Sequence, residues 1–173
     1  YYIVINRTPV FFYNLEAVMF IYPLLFGLAF VYSNLLEWVI HKYVFHGLGK
    51  KKKSPFSSHW HHHHRMVRKN DYVDSSYLGF PPHPSVTQEV GSLTLLALIH
   101  LPLLFVSYFF YCSLLFFTCR YFYIHRRSHV NPEWGKKNYP WHYDHHMGRN
   151  QNANWGVTSP FWDWILKTRI KYH

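Results

Sequence analysis

Carboxylates and cysteines are scarce in this sequence, and their scarcity excludes several kinds of site. Asp and Glu together number only 8 in 173 residues, so carboxylate oxygens cannot supply the ligands of a large metal centre. The only two cysteines, Cys112 and Cys119, fall two helical turns apart in an apolar segment, which is too far to bridge within one helix. We therefore interpret them as small core or lipid-facing residues rather than as a disulfide.

Positive charge, in contrast, is plentiful and unevenly placed. The chain carries 18 Lys and Arg and a formal net charge of +10, yet only Arg7 precedes Lys42. The basic residues lie between apolar blocks, as the positive-inside rule expects of cytoplasmic loops, and this pattern argues against nucleic acid as a partner. Aromatic residues make up 21% of the chain and charged residues only 15%, which is atypical of a water-soluble surface.

Two long apolar blocks, residues 9–41 and residues 86–124, alternate with the polar segments. Each contains a proline near its middle, Pro23 in the first and Pro102 in the second. A bilayer core about 30 Å thick needs about 20 helical residues, and proline breaks helices, so we interpret each block as a hairpin of two membrane helices. One long span is the alternative for the first block. The basic flanks of the second block indicate that both its ends lie on one side of the membrane.

These features predict an all-α integral membrane protein, a single domain over residues 1–173 with two helical hairpins and about four membrane helices. The loops that carry the histidines, residues 41–85 and 125–170, are expected to form a di-metal site at the cytoplasmic face. The membrane would be the endoplasmic reticulum in a eukaryote and the inner membrane in a bacterium. Because the chain begins with Tyr1 rather than methionine, we expect it to be a fragment of a longer protein.

Histidines are the most unusual residues of the chain. They form four clusters: His41/His46, His59 to His64, His125/His129 and His142/His145/His146. Neutral imidazole is the commonest nitrogen ligand for zinc, copper and iron, and residues three or four apart share a helix face, so the last two clusters each present at least two imidazoles together. His41 and His46 are about 140° apart on an ideal α-helix, so they would serve one centre only at a frayed helix end, or else serve two metals.

The second cluster leaves its register open. His59 and His63 fit both candidate spacings, and the third ligand is either His62 or His64, with His64 favoured by a spacing of three intervening residues. His61 is interpreted as a bystander. One triplet here brings the expected ligands to ten, which is too many for one tetrahedral zinc and suits two metals with four to five nitrogens each. A proton relay or a pH sensor is the alternative for any single histidine pair.

The order and spacing of these clusters resemble the histidine boxes of the membrane-bound fatty acid hydroxylase and sterol desaturase superfamily. The matching motifs are His41-X4-His46, His59-X3-His63-His64, His125-X3-His129 and His142-X2-His145-His146. The segment from Asn154 to Asp163 is similar to the C-terminal signature of that superfamily. Two features depart from the pattern: the crowded run from His59 to His64, and Lys167, which stands where the superfamily has glycine before Thr168.

The resemblance implies a di-iron centre held entirely by histidine, which zinc can enter by misincorporation. It also implies an O2-dependent oxygenase that hydroxylates a lipid from the bilayer, either a fatty acyl chain or a sterol. One oxygen atom enters the substrate and the other leaves as water, and no catalytic side chain is expected beyond the metal ligands. The candidates for residues that support the ligands are Glu37, Asp144, Asn154 and Asp163; Glu37 is otherwise interfacial, and Asp144 otherwise exposed.

Electrons for such a reaction must come from a separate donor. The sequence has no Gly-rich nucleotide fingerprint, no cysteine spacing of an iron–sulfur site and no His-Pro-Gly-Gly motif of cytochrome b5. We expect a cytochrome b5, a ferredoxin or a similar protein to dock on the run from Lys50 to Lys53. Alternatively, the same lysines hold the membrane topology or bind anionic lipid.

Two other functions remain open at this point. A carotenoid ring hydroxylase of the same superfamily fits the segment from His41 to Gly47, but the C-terminal Trp162-Asp163 signature argues against it. A non-catalytic membrane protein that binds or transports metal would place its ligands within the membrane spans. Here the clusters lie at the ends of the apolar blocks and beyond them, which favours the oxygenase.

Overall fold

The computed structural model of the protein describes residues 10–172, and their side chains from residue 18 onward. Within these residues all regular elements are helical and no strand is present, as the sequence predicted. In chain order they are α1 (Val10–Val39), a first π-helix (Ile40–Leu48), a second π-helix (His59–His63), α2 (His64–Lys69), a 3-10 turn (Ser75–Tyr77), α3 (Pro84–Ile99), α4 (Leu103–Val106), α5 (Tyr108–Val130), α6 (Pro132–Asn138), α7 (Pro140–Met147) and α8 (Phe161–Ile165).

The first apolar block forms one helix, so the predicted hairpin turning near Pro23 is wrong. α1 runs through Pro23 and continues directly into the first π-helix. A proline inside a helix removes one backbone hydrogen bond, whereas a turn in apolar surroundings would leave several backbone groups without partners. Residues Val18–Leu48 are long and apolar enough to cross a membrane, and no other helix of the described residues meets that criterion.

The second apolar block folds back on itself around Pro102. Helix α3 ends at Ile99, and α5 begins after Ser107, whose hydroxyl caps the helix by accepting from the Phe110 backbone N–H at 3.2 Å. Helices α3 and α5 are antiparallel, since the Tyr111 hydroxyl donates to the Ala97 carbonyl and His125 meets Glu89 further along the pair. This part of the block therefore supplies two helices, but α3 has only 16 residues.

Aromatic side chains hold α1 against α5. The Phe117 ring lies 5.0 Å from the ring of Phe26 and 5.6 Å from that of Phe30, and the small, fully buried Ala29 lets the two helices approach closely. The Tyr32 hydroxyl and His100 Nε2 are 2.9 Å apart and join α1 to the end of α3. The three long helices thus form one bundle, with the four histidine clusters at the end opposite Pro102.

The segment after α7 is fastened to α1 by two acidic side chains. Glu37 accepts hydrogen bonds from the backbone N–H groups of Val157 and Thr158. Asp163 accepts hydrogen bonds from the backbone N–H groups of Trp155 at 2.9 Å and Gly156 at 2.8 Å, and from Trp38 Nε1 of α1 at 3.2 Å. These hydrogen bonds to side-chain acceptors fix the loop against α1. The backbone carbonyls of this loop become important at the histidine site.

Candidate metal centre

The ten histidines expected from the sequence lie together at one end of the helical bundle. A first group consists of His41, His46, His59, His64 and His145, and a second group of His63, His125, His129 and His146. Within each group the available nitrogens lie within 4.8 Å of one another. His142 adjoins the second group, because its Nε2 is 3.1 Å from that of His129. Nine of the ten are buried and His59 is half-buried, so solvent competes little for their nitrogens.

Two π-helices explain how histidines five residues apart reach the same group. In the first, the Gly49 N–H donates to the Val44 carbonyl at 2.9 Å, and in the second the His64 N–H donates to the His59 carbonyl. These hydrogen bonds span five residues instead of four, so residues i and i+5 lie on one face. The expectation from α-helical geometry, that His41 and His46 need a frayed helix end or two metals, is wrong. Their ring centroids are 5.1 Å apart within the first group.

The second π-helix also separates the neighbours of the crowded run. His64 joins the first group and the adjacent His63 joins the second, because successive residues point in different directions around the helix. His62 lies outside both groups: its Nε2 is 2.8 Å from the Ser76 hydroxyl, and its ring stacks on that of His83 at 4.3 Å. His61 Nε2 contacts the Lys50 carbonyl at 3.0 Å, also outside the groups.

Backbone carbonyls fix the protonation of three imidazoles. His41 Nδ1 donates to the Trp155 carbonyl at 2.7 Å, His145 Nδ1 to the Ala153 carbonyl at 2.7 Å, and His129 Nδ1 to the Tyr72 carbonyl at 3.0 Å. A carbonyl oxygen only accepts, so in each neutral ring Nδ1 carries the proton and Nε2 keeps its lone pair. That lone pair faces the group, in the tautomer that a metal requires.

Two carboxylates orient members of the second group. His63 Nδ1 donates to Asp74 at 2.7 Å, and His125 Nδ1 donates to Glu89 at 2.5 Å. The other oxygen of Glu89 accepts from the Tyr77 hydroxyl at 2.6 Å. Burial alone would raise the pKa of Asp74, but its hydrogen bonds with His63 and Ser76 outweigh burial and hold that pKa well below its usual value.

Asp74 and Glu89 are not among the supporting residues expected from the sequence. A signal for Glu89 was present, since it is the only acidic residue of the second apolar block. An ionisable group in such a segment indicates a function or a buried partner. Asp74 offered no comparable signal, because its loop already contains several polar residues.

The four supporting residues proposed from the sequence act further from the histidines. Glu37 and Asp163 hold the loop that carries the Trp155 carbonyl. Asn154 accepts from the Ile170 N–H at 2.7 Å, and Asp144 pairs with Arg169 at 2.8 Å. Their hydrogen bonds stabilise the C-terminal segment, whose carbonyls in turn orient His41 and His145.

The spacing of the nitrogens fits metal ions. In the first group, Nε2 of His46 is 3.0 Å from that of His64 and 3.2 Å from that of His145. Two nitrogens bound to one ion at about 2.0–2.1 Å lie roughly 2.9–3.4 Å apart for bond angles between about 90 and 109°. Ligands that are all imidazole favour zinc, copper, nickel or iron over magnesium or calcium.

The second group also suits a metal ion, because three of its Nε2 nitrogens have no hydrogen-bond partner among the described residues. They are the Nε2 atoms of His63, His125 and His146, and all three are buried. Leaving a buried polar atom unsatisfied costs about 1–3 kcal/mol, and three of them converge here. A bound cation would satisfy all three at once.

Lowered pKa values favour the neutral form, which metal binding requires, in several of these histidines. Burial, opposed by the hydrogen bond to the Ala153 carbonyl, lowers the pKa of His145 to about 3. Burial and the neighbouring imidazoles lower the pKa of His64 and His146 well below the usual value. Each ring therefore presents a lone pair near neutral pH without first releasing a proton.

An apolar cavity adjoins the histidines between α1, α3 and α5. It has about 750 Å³ of free space, its open side included, and Leu36, Leu96 and Leu114 are among its lining residues. A smaller cavity of about 370 Å³ reaches His59, His63 and His125. Phe45 and Ser92 line both cavities and therefore lie between the larger apolar space and the cavity that reaches these three histidines.

The fold and the site together define a membrane-associated protein with an apolar helix and clustered imidazoles that could hold metal ions. The family model described as fatty acid hydroxylase matches residues 26–168, and the chain belongs to that family. The family assigns it to the oxidoreductases. Comparisons with curated proteins and with solved structures gave no significant match.

Proposed function

We propose that this protein is an O2-dependent di-iron oxygenase that hydroxylates a lipid. The observation that carries this proposal is an apolar cavity that shares Phe45 and Ser92 with a second cavity lined by histidines of both imidazole groups. Iron bound there would supply the activation of O2 that an unreactive C–H bond requires. One oxygen atom becomes the new hydroxyl group, and the other leaves as water with two electrons and two protons from a donor system.

The protein's own residues bind and orient. The histidines of the first group, and those of the second group with His142, would each hold one iron ion. Backbone carbonyls keep their lone pairs directed inward, and the leucines and aromatic rings of the cavity align an acyl chain or a sterol without polar contacts. Because the side chains that line the cavity are mostly apolar, the cavity favours a lipid over water.

The outer surface supports a location in a membrane. α1 exposes Met19 by 65% and Phe20 by 78%, and the turn near Pro102 exposes Phe105 by 88% and Val106 by 81%. Side chains of this kind are stable against lipid and not against water. We propose that the histidine end faces the cytoplasm, where the basic loops are favoured, in the endoplasmic reticulum of a eukaryote or the inner membrane of a bacterium.

A separate protein would deliver the electrons, and the lysine run is its proposed docking site. Lys51, Lys52 and Lys53 are exposed on the loop between the two π-helices. Lys50 is engaged instead with Asn152 at 2.7 Å and with the ring of Trp60. An acidic cytochrome b5 or ferredoxin would be attracted to the three exposed charges, and its association would weaken as salt increases.

The lipids of cells expressing the protein test the proposal. We expect a new hydroxylated lipid with the unaltered chain and with His61→Ala, which removes an imidazole outside both groups, but none with His145→Ala. Zinc competes for such sites, so the cells are supplied with ferrous iron. A hydroxylated carotenoid as the only product would instead identify the protein as a carotenoid ring hydroxylase. Unchanged lipids in cells whose protein carries two irons would contradict the oxygenase and favour a metal-binding protein without catalysis.

A further inference from the structure

The two histidine groups differ in the hydrogen-bond partners that orient their imidazole rings. Histidines of the first group interact through Nδ1 with uncharged atoms: the carbonyls of Trp155 and Ala153, and the amide of Gln151, 2.9 Å from His64. In the second group, His63 and His125 donate to the carboxylates of Asp74 and Glu89. Two negative charges therefore adjoin one group, and none of the hydrogen bonds named here brings a carboxylate to the other.

Both carboxylates are shielded from solvent. The side chain of Asp74 is 1% exposed and that of Glu89 is 10% exposed, so water and salt screen their charges weakly. Further hydrogen bonds fix each in place, from the Ser76 N–H to Asp74 at 2.9 Å and from the Tyr77 hydroxyl to Glu89. Neither carboxylate can rotate away from its histidine without breaking these bonds.

A carboxylate that accepts a hydrogen bond from Nδ1 makes the imidazole a stronger lone-pair donor to a metal ion at Nε2. The Nδ1 proton is drawn toward the carboxylate, and the lone pair on Nε2 becomes more basic. Two such pairs also offset the double positive charge of a divalent ion, which carbonyl oxygens with partial charges cannot do. Removing such a partner typically lowers metal affinity about 10–100-fold.

We propose that the second group is the higher-affinity metal site of the two and fills first, with Asp74 and Glu89 as the positioning residues that set this order. The proposal rests on the proposed function only in that both groups bind a divalent metal. It assigns Asp74 and Glu89 a role through His63 and His125, since neither carboxylate needs to contact the metal itself.

The test is a titration of the metal-free, detergent-purified full chain with Co2+, whose absorption spectrum reports its ligands. We expect two binding steps separated by about 10–100-fold in Kd. His129→Ala should remove the tighter step, and His41→Ala the weaker one. The reverse assignment, or two ions of equal affinity, would overturn the proposal. If only one ion binds, the proposed two-metal function is wrong. The proposed order of affinities then stands only if that ion is lost in His129→Ala and retained in His41→Ala.

The variants Asp74→Asn and Glu89→Gln then distinguish the effect of the carboxylate charge from that of the hydrogen bond that orients each histidine. Each variant keeps an oxygen that can accept from the histidine and loses the negative charge. We expect each to weaken the tighter step about 10–100-fold while the weaker step stays unchanged. Gln151→Leu, next to His64 in the first group, is the matched control and should shift only the weaker step. The two carboxylates lie on separate segments, so a folding defect in one variant leaves the other informative. An unchanged tighter step in a folded variant would refute the assignment.

Discussion

His41 and His46 lie five positions apart in the sequence, and their rings nevertheless lie 5.1 Å apart on one face of the chain. The first π-helix, Ile40–Leu48, produces this arrangement, since its hydrogen bonds reach five residues back. His59 and His64 repeat the same spacing in the second π-helix, with ring centroids 5.0 Å apart. Four of the five histidines of the first group thus form two matched pairs that regular α-helices would have separated.

Shortening or lengthening the first π-helix tests this relationship. Deleting the exposed Tyr43 places the two histidines four residues apart, and an α-helix then brings them to one face. Inserting one alanine after Tyr43 puts them six apart, where neither helix aligns them. We expect about two metal ions per chain after the deletion and about one after the insertion, measured by elemental analysis. Equal loss in both variants would contradict the role of the π-helix.

Asp163 offers a test of the support behind the first group. Asp163→Asn replaces a charged acceptor of the Trp155 and Gly156 N–H groups with a neutral one, so the loop behind His41 should loosen. We expect the free energy of unfolding in detergent to fall by about 1–3 kcal/mol. We also expect the loss of metal affinity to be larger in the first group than in the second. The exposed Glu133, changed to glutamine, is the control and should change neither measurement.

That the ten histidines lie together was predictable from the sequence, because four imidazole clusters between apolar segments favour a shared metal site. Their division between two groups was not, because it depends on the π-helices, and α-helical periodicity assigns wrong directions to residues five apart. Pro23 was misleading because the prediction weighed the single hydrogen bond that proline removes from a helix above the several that a turn in apolar surroundings would leave unmade. Asp74 and Glu89 needed the fold, since their partners lie 11 and 36 residues away along the chain.

Lys167 gives a prediction about stability. The residue follows α8 with φ 56°, in the left-handed region that glycine adopts easily and other residues do not. A side chain there costs about 1–2 kcal/mol, part of which the greater freedom of glycine in the unfolded chain offsets. We expect Lys167→Gly to raise the free energy of unfolding by about 1 kcal/mol, seen as a higher Tm. Lys171→Gly, also on the exposed C-terminal segment, should give no gain; an equal gain from both would point to charge instead.

The apolar cavity yields a prediction about substrate access. Leu96 and Leu95 are adjacent on α3, but Leu96 lines the cavity and Leu95 is 53% exposed on the outer surface. Leu96→Trp adds bulk inside the cavity and should lower the rate of lipid hydroxylation at least about tenfold by displacing the substrate. Leu95→Trp should leave that rate unchanged, because its ring extends away from the bundle.

Metal content distinguishes blocked access from damage to the centre. Leu96 lines the larger cavity, and none of the histidines of the two groups lines that cavity. The Leu96→Trp chain should therefore still bind two metal ions with both titration steps intact. Product formation from a shorter lipid should recover part of the lost rate, since less of the cavity is then needed. If the rate falls equally in Leu95→Trp, or if Leu96→Trp loses metal along with activity, the cavity is not the route by which the lipid reaches the histidines.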